Sequence, residues 1–269
     1  MIKQIYGVYD CLSAKLALDA GADYFYLGGF STAGSLLGVP DVGILTCTDL
    51  LYVAKNVKKI LRDKYLIVDG DTGFGGDENI KSFISDLIDL NINAVTLEDQ
   101  KMPKKCGHMP VEHKIVSIEE HSGRIKTAKN VINQRNSSLD IIARTDIRNY
   151  GTVDDVIKRA SAYIKAGADI IFLEAIKDER EFIKIRHALP NISLLANIPE
   201  STNKTQLISS GELEKIGIDY ILHPLSAMLS SIKAMQAAFN NLKTTGAAKT
   251  NEICSLDEYF KIIELDKYI

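Results

Sequence analysis

The chain has 269 residues, 46% of them hydrophobic, with 32 basic and 35 acidic side chains and a net charge of −3. That is enough apolar mass for one sizeable core, and a mixed, nearly neutral surface excludes an electrostatic footprint for nucleic acid or anionic membrane. The four cysteines, Cys11, Cys47, Cys106 and Cys254, are too scattered for zinc-ribbon or disulfide spacing. No apolar run approaches the ~20 residues of a membrane span, and the opening MIKQIYGVYD lacks a signal-peptide core. The expectation is a cytoplasmic protein that binds neither membrane nor nucleic acid.

Taken in order, short apolar runs alternate with helix-like segments. Strands are predicted over 4–8, 24–27, 65–68, 94–97, 140–143, 170–173, 193–196 and 220–222. Helices are predicted over 11–20, 48–62, 77–90, 119–134, 152–166, 178–188, 203–210 and 225–244, with another over 256–265. Glycine marks several of the helix-to-strand turns, as in Ala20-Gly21-Ala22-Asp23 before YFYLGG and Ala166-Gly167-Ala168-Asp169 before IIFLEA. A glycine at a helix end suits a left-handed cap, and short apolar runs between helices suit strands buried on both faces. Eight such units predict a (β/α)8 barrel, one domain over 1–269 with a C-terminal helical segment over 225–269. In that fold the strand C-termini form one functional rim. The connections from Gly28 to Cys47 and from Asp99 to Ile118 are long enough to be lids.

The chemistry concentrates between Leu66 and His108. LIVDGDTGFGG ends one apolar run in Asp69 and Asp71, and AVTLEDQKMPKKCGH ends the next in Glu98 and Asp99, with Cys106 close behind. Acids at the ends of buried strands make a poor core and a good site for a hard divalent cation. DGDTG is also good turn chemistry; the acid closing the neighbouring strand favours the metal. Gly70, Gly73, Gly75 and Gly76 lack the GxGxxG spacing, and no Lys-Ser/Thr follows for a phosphate loop.

Cys106 sits among Lys104, Lys105 and His108. Nearby cations lower a thiol pKa, so it is either a reactive thiol or a small residue in a basic patch. Cys11, Cys47 and Cys254 are expected as buried fillers of helical segments. Arg144, ending IIAR, suits bidentate carboxylate recognition or an ion pair to Asp146 or Glu174. Glu174 and Asn197 are candidate substrate or supporting groups. His223 is expected at a cap or core edge, and His113, His121 and His187 at the surface. Phe30, Thr32, Leu173 and Ile198 are expected to shape the pocket.

The segments YLGGFSTAGSLLGVPDVG, LIVDGDTGFGG, LEDQKMPKKCGHM, IIARTDI, FLEA, LANI and HPLSAM run in order from about Gly7 to Met228. Together they resemble the isocitrate lyase/phosphoenolpyruvate mutase superfamily. KKCGH is similar to the signature of its carbon–carbon lyase branch, which holds 2-methylisocitrate lyases, 2,3-dimethylmalate lyases and oxaloacetate hydrolases. The phosphonate-forming mutases typically carry an asparagine-containing gate there. The resemblance implies Mg²⁺, with Mn²⁺ as an alternative, at Asp69, Asp71 and Glu98, with Asp41 nearby. It implies Cys106 and His108 on a mobile gate, and Tyr26, Gly28 and Gly29 around the oxo-acid part. It also implies substrate contacts from Arg144, Glu174 and Asn197, and a homotetramer that exchanges a C-terminal helix from Leu225 onward. Many lyases have serine at the Gly28 position, so the particular acid stays open.

The expected reaction is retro-aldol cleavage of a small 2-hydroxy di- or tricarboxylate, 2-methylisocitrate- or alkylmalate-like, to a 2-oxo acid and a second carboxylate. Arg144 neutralises the departing anion, Cys106 protonates it and Tyr26 is a candidate base. An oxaloacetate hydrolase, a carboxyphosphoenolpyruvate-type phosphonomutase and a metabolite-binding barrel without activity are the alternatives. The complete set of acids speaks against the last.

Overall fold

The computed structural model describes residues 1–109, 111–112, 114–200, 204–249, 251 and 253–269. Eight parallel strands close into a barrel in chain order: β1 (Lys3–Val8), β2 (Tyr24–Leu27), β3 (Tyr65–Asp69), β4 (Ala94–Glu98), β5 (Asp140–Thr145), β6 (Ile170–Leu173), β7 (Ser193–Asn197) and β8 (Tyr220–His223). The helices are α1 (Cys11–Asp19), α2 (Gly29–Thr32), α3 (Cys47–Leu61), α4 (Asp77–Asp89), α5 (Ile118–Gln134), α6 (Val153–Ala166), α7 (Glu179–Ala188), α8 (Ser210–Ile216), α9 (Ser226–Thr245) and α10 (Leu256–Ile262). This is the expected (β/α)8 barrel.

Each strand must satisfy two apolar environments. Alternate residues such as Ile5, Ile67, Ala94, Ile142, Ile170 and Leu195 fill the barrel interior. The residues between them, such as Phe25, Val68, Val95, Ile141 and Ile171, pack outward against the helices. That is why the strands read as continuous apolar runs rather than alternating ones. Helix starts are local: Thr46 with Asp49, Thr152 with Asp155, and Ser209 with Glu212 form reciprocal capping boxes before α3, α6 and α8. Gly167 and Gly217 adopt left-handed φ and close α6 and α8.

Several expectations are corrected. The helix expected over 203–210 starts outside the described residues; residues 204–209 are non-helical, and α8 begins at Ser210 behind its Ser209 cap. The connection from Gly28 to Cys47 is partly ordered into helix, α2 followed by a π-helical turn, Ala33–Leu37, before an irregular stretch over 38–46. Cys254 lies outside any helix and is exposed, while Cys11 and Cys47 are half-buried. His121 is fully buried, because with Ile125, Ala128 and Ile132 it lies on the core-facing stripe of α5; His187 is exposed, and His113 lies outside the described residues. Neither α9 nor α10 buries a residue, and Met235, Phe239, Leu242, Leu256 and Tyr259 are exposed on them. Among the described residues no helix is long and apolar enough to cross a membrane.

Candidate active site

The period of two along a strand selects the site residues. Counting on from Ile67, Ala94, Ile142, Ile170 and Leu195, the inward positions at the strand ends are Asp69, Glu98, Arg144, Glu174 and Asn197. Tyr26 is inward on β2, and the β4–β5 register sets Glu98 beside Arg144. These side chains line a cavity of about 300 Å³, with Gly28, Asp41, Lys104, Cys106 and His108. Phe30, Met109, Phe172, Leu222, Pro224 and Leu225 form its apolar wall. Of the residues expected to shape the pocket only Phe30 does so. Thr32 does not line it, and Leu173 and Ile198 occupy outward positions among the helices, one residue out of phase with Phe172 and Asn197. His223 is likewise outward and lines a groove between α1 and α9.

The acids are held by close backbone packing. Gly29 N–H donates to Asp69 Oδ2 at 3.1 Å. A Cβ on Gly70 would meet the Thr96 carbonyl at 2.7 Å, so the DGD turn sits flush on β4. Asp71 follows in the left-handed region, φ 47°. Into this basin reaches Lys104, a residue the sequence marked only as a neighbour of the thiol. Its Nζ lies 2.7 Å from Asp41 Oδ1 and 2.6 Å from Asp71 Oδ1, and the residue is 2% exposed. Burial works against its charge, but Asp71, Glu98 and Asp41 outweigh it and hold the ammonium protonated. Burial in turn pushes Asp71 up to about 7, against the pull of Lys104, and raises Glu98 well above the carboxylate range despite Arg144.

Lys104 belongs to the connection between β4 and α5, the segment expected to act as a gate, whose base is pinned. Lys101 N–H donates to the Lys114 carbonyl at 2.7 Å and Val116 N–H to the Asp99 carbonyl at 2.8 Å. Buried Gln100 clamps the Lys105 backbone from both sides, at 2.9 and 3.0 Å. Cys106 N–H donates to the Asp41 carbonyl at 3.0 Å, and His108 Nε2 lies 2.8 Å from Glu174 Oε1. Cys106, His108 and Met109 of this connection line the cavity. A lowered Cys106 pKa, one of the two readings its basic neighbours allowed, does not hold: burial pushes the thiol up to about 11, a backbone hydrogen bond at His108 offsetting only part of it. The lysines that prompted the expectation are engaged elsewhere, Lys104 by acids and Lys105 by the Glu112 carbonyl. The thiol stays protonated, which suits an acid rather than a nucleophile.

Arg144 forms the ion pairs that its sequence context allowed. Nε and Nη2 fork onto Asp146 at 2.9 and 2.8 Å, and the guanidinium lies 3.5 Å from both Glu98 Oε2 and Glu174 Oε2. Nη1 has no protein partner among the described residues, so one donor edge remains for a ligand. Burial raises the Glu174 carboxyl, but Arg144 and His108 outweigh it and hold it at about 2. Asn197 Nδ2 donates to Glu174 Oε2 at 2.9 Å. Asp99, next to Glu98 but of outward phase, is a structural hub: it accepts from Thr145 Oγ1, Asp146 N and Tyr163 OH at 2.6 to 2.9 Å. Burial raises the Tyr26 phenol well above 10, which argues against a resting phenolate base and for a hydrogen-bond donor.

As they stand, no three acidic, histidine or cysteine side chains among the described residues converge closely enough to enclose a metal ion. Mg²⁺ does not require that; one or two carboxylates plus waters commonly hold it. The donors are hard oxygens, Glu98 Oε1 has no hydrogen-bond partner, and the basin already draws a cation in the form of Lys104. In donor type and charge the residues fit Mg²⁺ or Mn²⁺.

A family model described as phosphoenolpyruvate phosphomutase matches residues 2–243. The chain is 36% identical over 276 residues to 2-methylisocitrate lyase of Bacillus subtilis (strain 168), covering 100% of this chain and 89% of that protein. The crystal structure of 2,3-dimethylmalate lyase superposes with a TM-score of 0.95 at 31% identity, covering 99% of this chain and 88% of that one. Oxaloacetate acetylhydrolase in complex with the inhibitor 3,3-difluorooxalacetate gives 0.95 at 28% identity, over 99% and 90%. The chain belongs to the phosphoenolpyruvate mutase/isocitrate lyase superfamily. Its class is that of the carbon–carbon lyases.

Proposed function

We propose that the chain is a Mg²⁺-dependent lyase that cleaves a small 2-hydroxy di- or tricarboxylate of the 2-methylisocitrate or alkylmalate kind. The observation that carries this reading is that Cys106, the Arg144 guanidinium and the acids Asp41, Asp69, Glu98 and Glu174 line one cavity beside an apolar wall. The names of its relatives, 2-methylisocitrate lyase and 2,3-dimethylmalate lyase, support it.

Asp69, Asp71 and Glu98, with Asp41 beside them, would hold the cation, which would supply a Lewis acid there. The chain's own groups do the rest. Tyr26, with the backbone of Gly28 and Gly29, receives the oxo-acid half. Cleavage passes the hydroxyl proton to a carboxylate of the acid basin, turns the hydroxyl carbon into a carbonyl and leaves the bond's electron pair on the carbon next to the departing carboxylate. Arg144 neutralises that anion through its open edge, with Glu174, Asn197 and His108 fixing its surroundings. Cys106 delivers its S–H proton to the carbanionic carbon. The closed gate keeps water from reaching that carbon first.

The likeness to oxaloacetate acetylhydrolase favours one second reading, hydrolysis of oxaloacetate at the same site. A product assay separates the two. With 2-methylisocitrate, isocitrate, 2,3-dimethylmalate, 2-alkylmalates and oxaloacetate, a chelator-sensitive 2-oxo acid from one hydroxy acid supports the lyase and names its substrate. Oxalate from oxaloacetate alone moves the chain to the hydrolase reading. We also propose one barrel domain over 1–269, whose C-terminal segment 225–269 packs against neighbouring copies in a homotetramer. The exposed apolar side chains of α9 and α10 support this, and sedimentation tests it.

A further inference from the structure

The fasteners of the gate fall into two groups. Lys104 and His108 engage Asp41, Asp71 and Glu174, acids that also serve the proposed cation and substrate. Those contacts must change partners when ligands arrive. A different fastener engages groups other than these acids. The Lys204 ammonium, from the segment after β7, donates to the Gly107 carbonyl and to Asn149 Oδ1, the latter at 3.0 Å. Gly107 lies between Cys106 and His108; Asn149 lies in the turn after β5, where its own N–H donates to the Asp146 carbonyl at 3.1 Å. Gly107 itself rests directly on the Arg144–Asp146 pair: a Cβ there would stand 2.7 Å from Asp146 Oδ1 and 3.3 Å from Arg144 Nη2.

We propose that Lys204 is a positioning residue that latches the gate, bridging Gly107 to Asn149 and so holding the Cys106 thiol at the cavity. It ties together the rim segments that follow β4, β5 and β7. Because the bridge ends on a carbonyl and an amide oxygen rather than on site acids, it persists while ligands exchange. An ammonium on a carbonyl is stronger than a neutral hydrogen bond, so a neutral side chain of similar length opens the latch. The role assigned to Cys106 rests on the lyase reading, but closure of the gate is measurable without substrate.

The test is the rate at which iodoacetamide alkylates Cys106, read by peptide mass spectrometry, with exposed Cys254 as internal control. Lys204→Met is expected to speed Cys106 alkylation on the order of tenfold, as loss of one charge-assisted hydrogen bond implies, with Cys254 unchanged. Asn149→Leu, which removes the other end of the bridge, is expected to act the same way, and Lys204→Arg to restore slow alkylation. With a cleaved substrate in hand, Lys204→Met lowers kcat by a similar factor and Lys204→Arg recovers it. Unchanged alkylation in both Lys204→Met and Asn149→Leu overturns the latch, whatever the product assay shows. Faster alkylation with undiminished kcat overturns the positioning role. A silent substrate panel with faster alkylation leaves the latch standing and removes only the lyase reading.

Discussion

The Lys104 ammonium lies 2.6 Å from Asp71 Oδ1 and 2.7 Å from Asp41 Oδ1, almost without contact with solvent. One gate residue thus carries the positive charge that makes a basin of acids tolerable in the absence of a metal. Removing one partner of a buried ion pair leaves uncompensated charge, typically ~3–5 kcal/mol. Lys104→Met is therefore expected to lose about that much unfolding free energy in chelator, and to gain more stability from added Mg²⁺ than the wild type gains. Denaturant midpoints with and without Mg²⁺ measure both.

Cys106 faces the cavity as a thiol held up at about 11, the form that gives a proton. Cys106→Ser keeps size and polarity but is a far weaker acid. Its turnover is expected to fall roughly 10²–10⁴-fold, the usual range for a lost general acid, while Mg²⁺ affinity by calorimetry stays within error of wild type.

Gly107 tests gate closure by sterics alone. Because a Cβ would stand 2.7 Å from Asp146 Oδ1, Gly107→Ala lifts the gate off the Arg144–Asp146 pair. A displacement on the scale of 1 Å is expected to lower kcat/KM about 100-fold. The gate lies outside the barrel core, so Tm should hardly move. A stable variant with full activity would show that the gate need not seat there.

His121 sets a pH dependence unrelated to catalysis. Burial first, then Arg124 and Arg159, depress its pKa well below 6.5. The folded protein keeps the ring neutral, so below about pH 6.5 the unfolded chain binds a proton that the folded one refuses. Stability present at pH 7.5 is then lost as pH falls from that value, by at most about 1.4 kcal/mol per pH unit from this group. In His121→Phe, the slope of stability against pH between 7.5 and 5 should flatten by up to one proton relative to wild type, as urea midpoints will show.

The barrel was legible because eight short apolar runs alternate with helix-like segments, several of which end in a recognisable turn, and because acids, arginine and asparagine stand where those runs stop. The chosen rim residues share one strand phase, so Asp69, Glu98, Arg144, Glu174 and Asn197 meet although the chain separates them. Phase also explains the misses. Leu173 and Ile198 are apolar and next to site residues, but one step along a strand turns a side chain to the other face; counting from Arg144 and Glu174 would have selected Phe172. His121 was legible too, since positions 121, 125, 128 and 132 form one helical stripe. Lys104, Gln100 and Lys204 carried no such signal, because irregular segments have no period from which to infer what a side chain meets. The shift of Cys106 went the opposite way for the same reason: charge near it in sequence was not charge facing it in space.

The most direct measurement follows the cleaved bond in deuterium oxide. With the best hydroxy acid of the panel and Mg²⁺, proton NMR is expected to show one 2-oxo acid for each second carboxylate. That carboxylate should carry a single deuterium on the carbon released by cleavage, chelator should abolish its formation, and Cys106→Ser should slow it sharply. Oxalate and acetate from oxaloacetate, with every hydroxy acid left intact, would contradict the lyase reading.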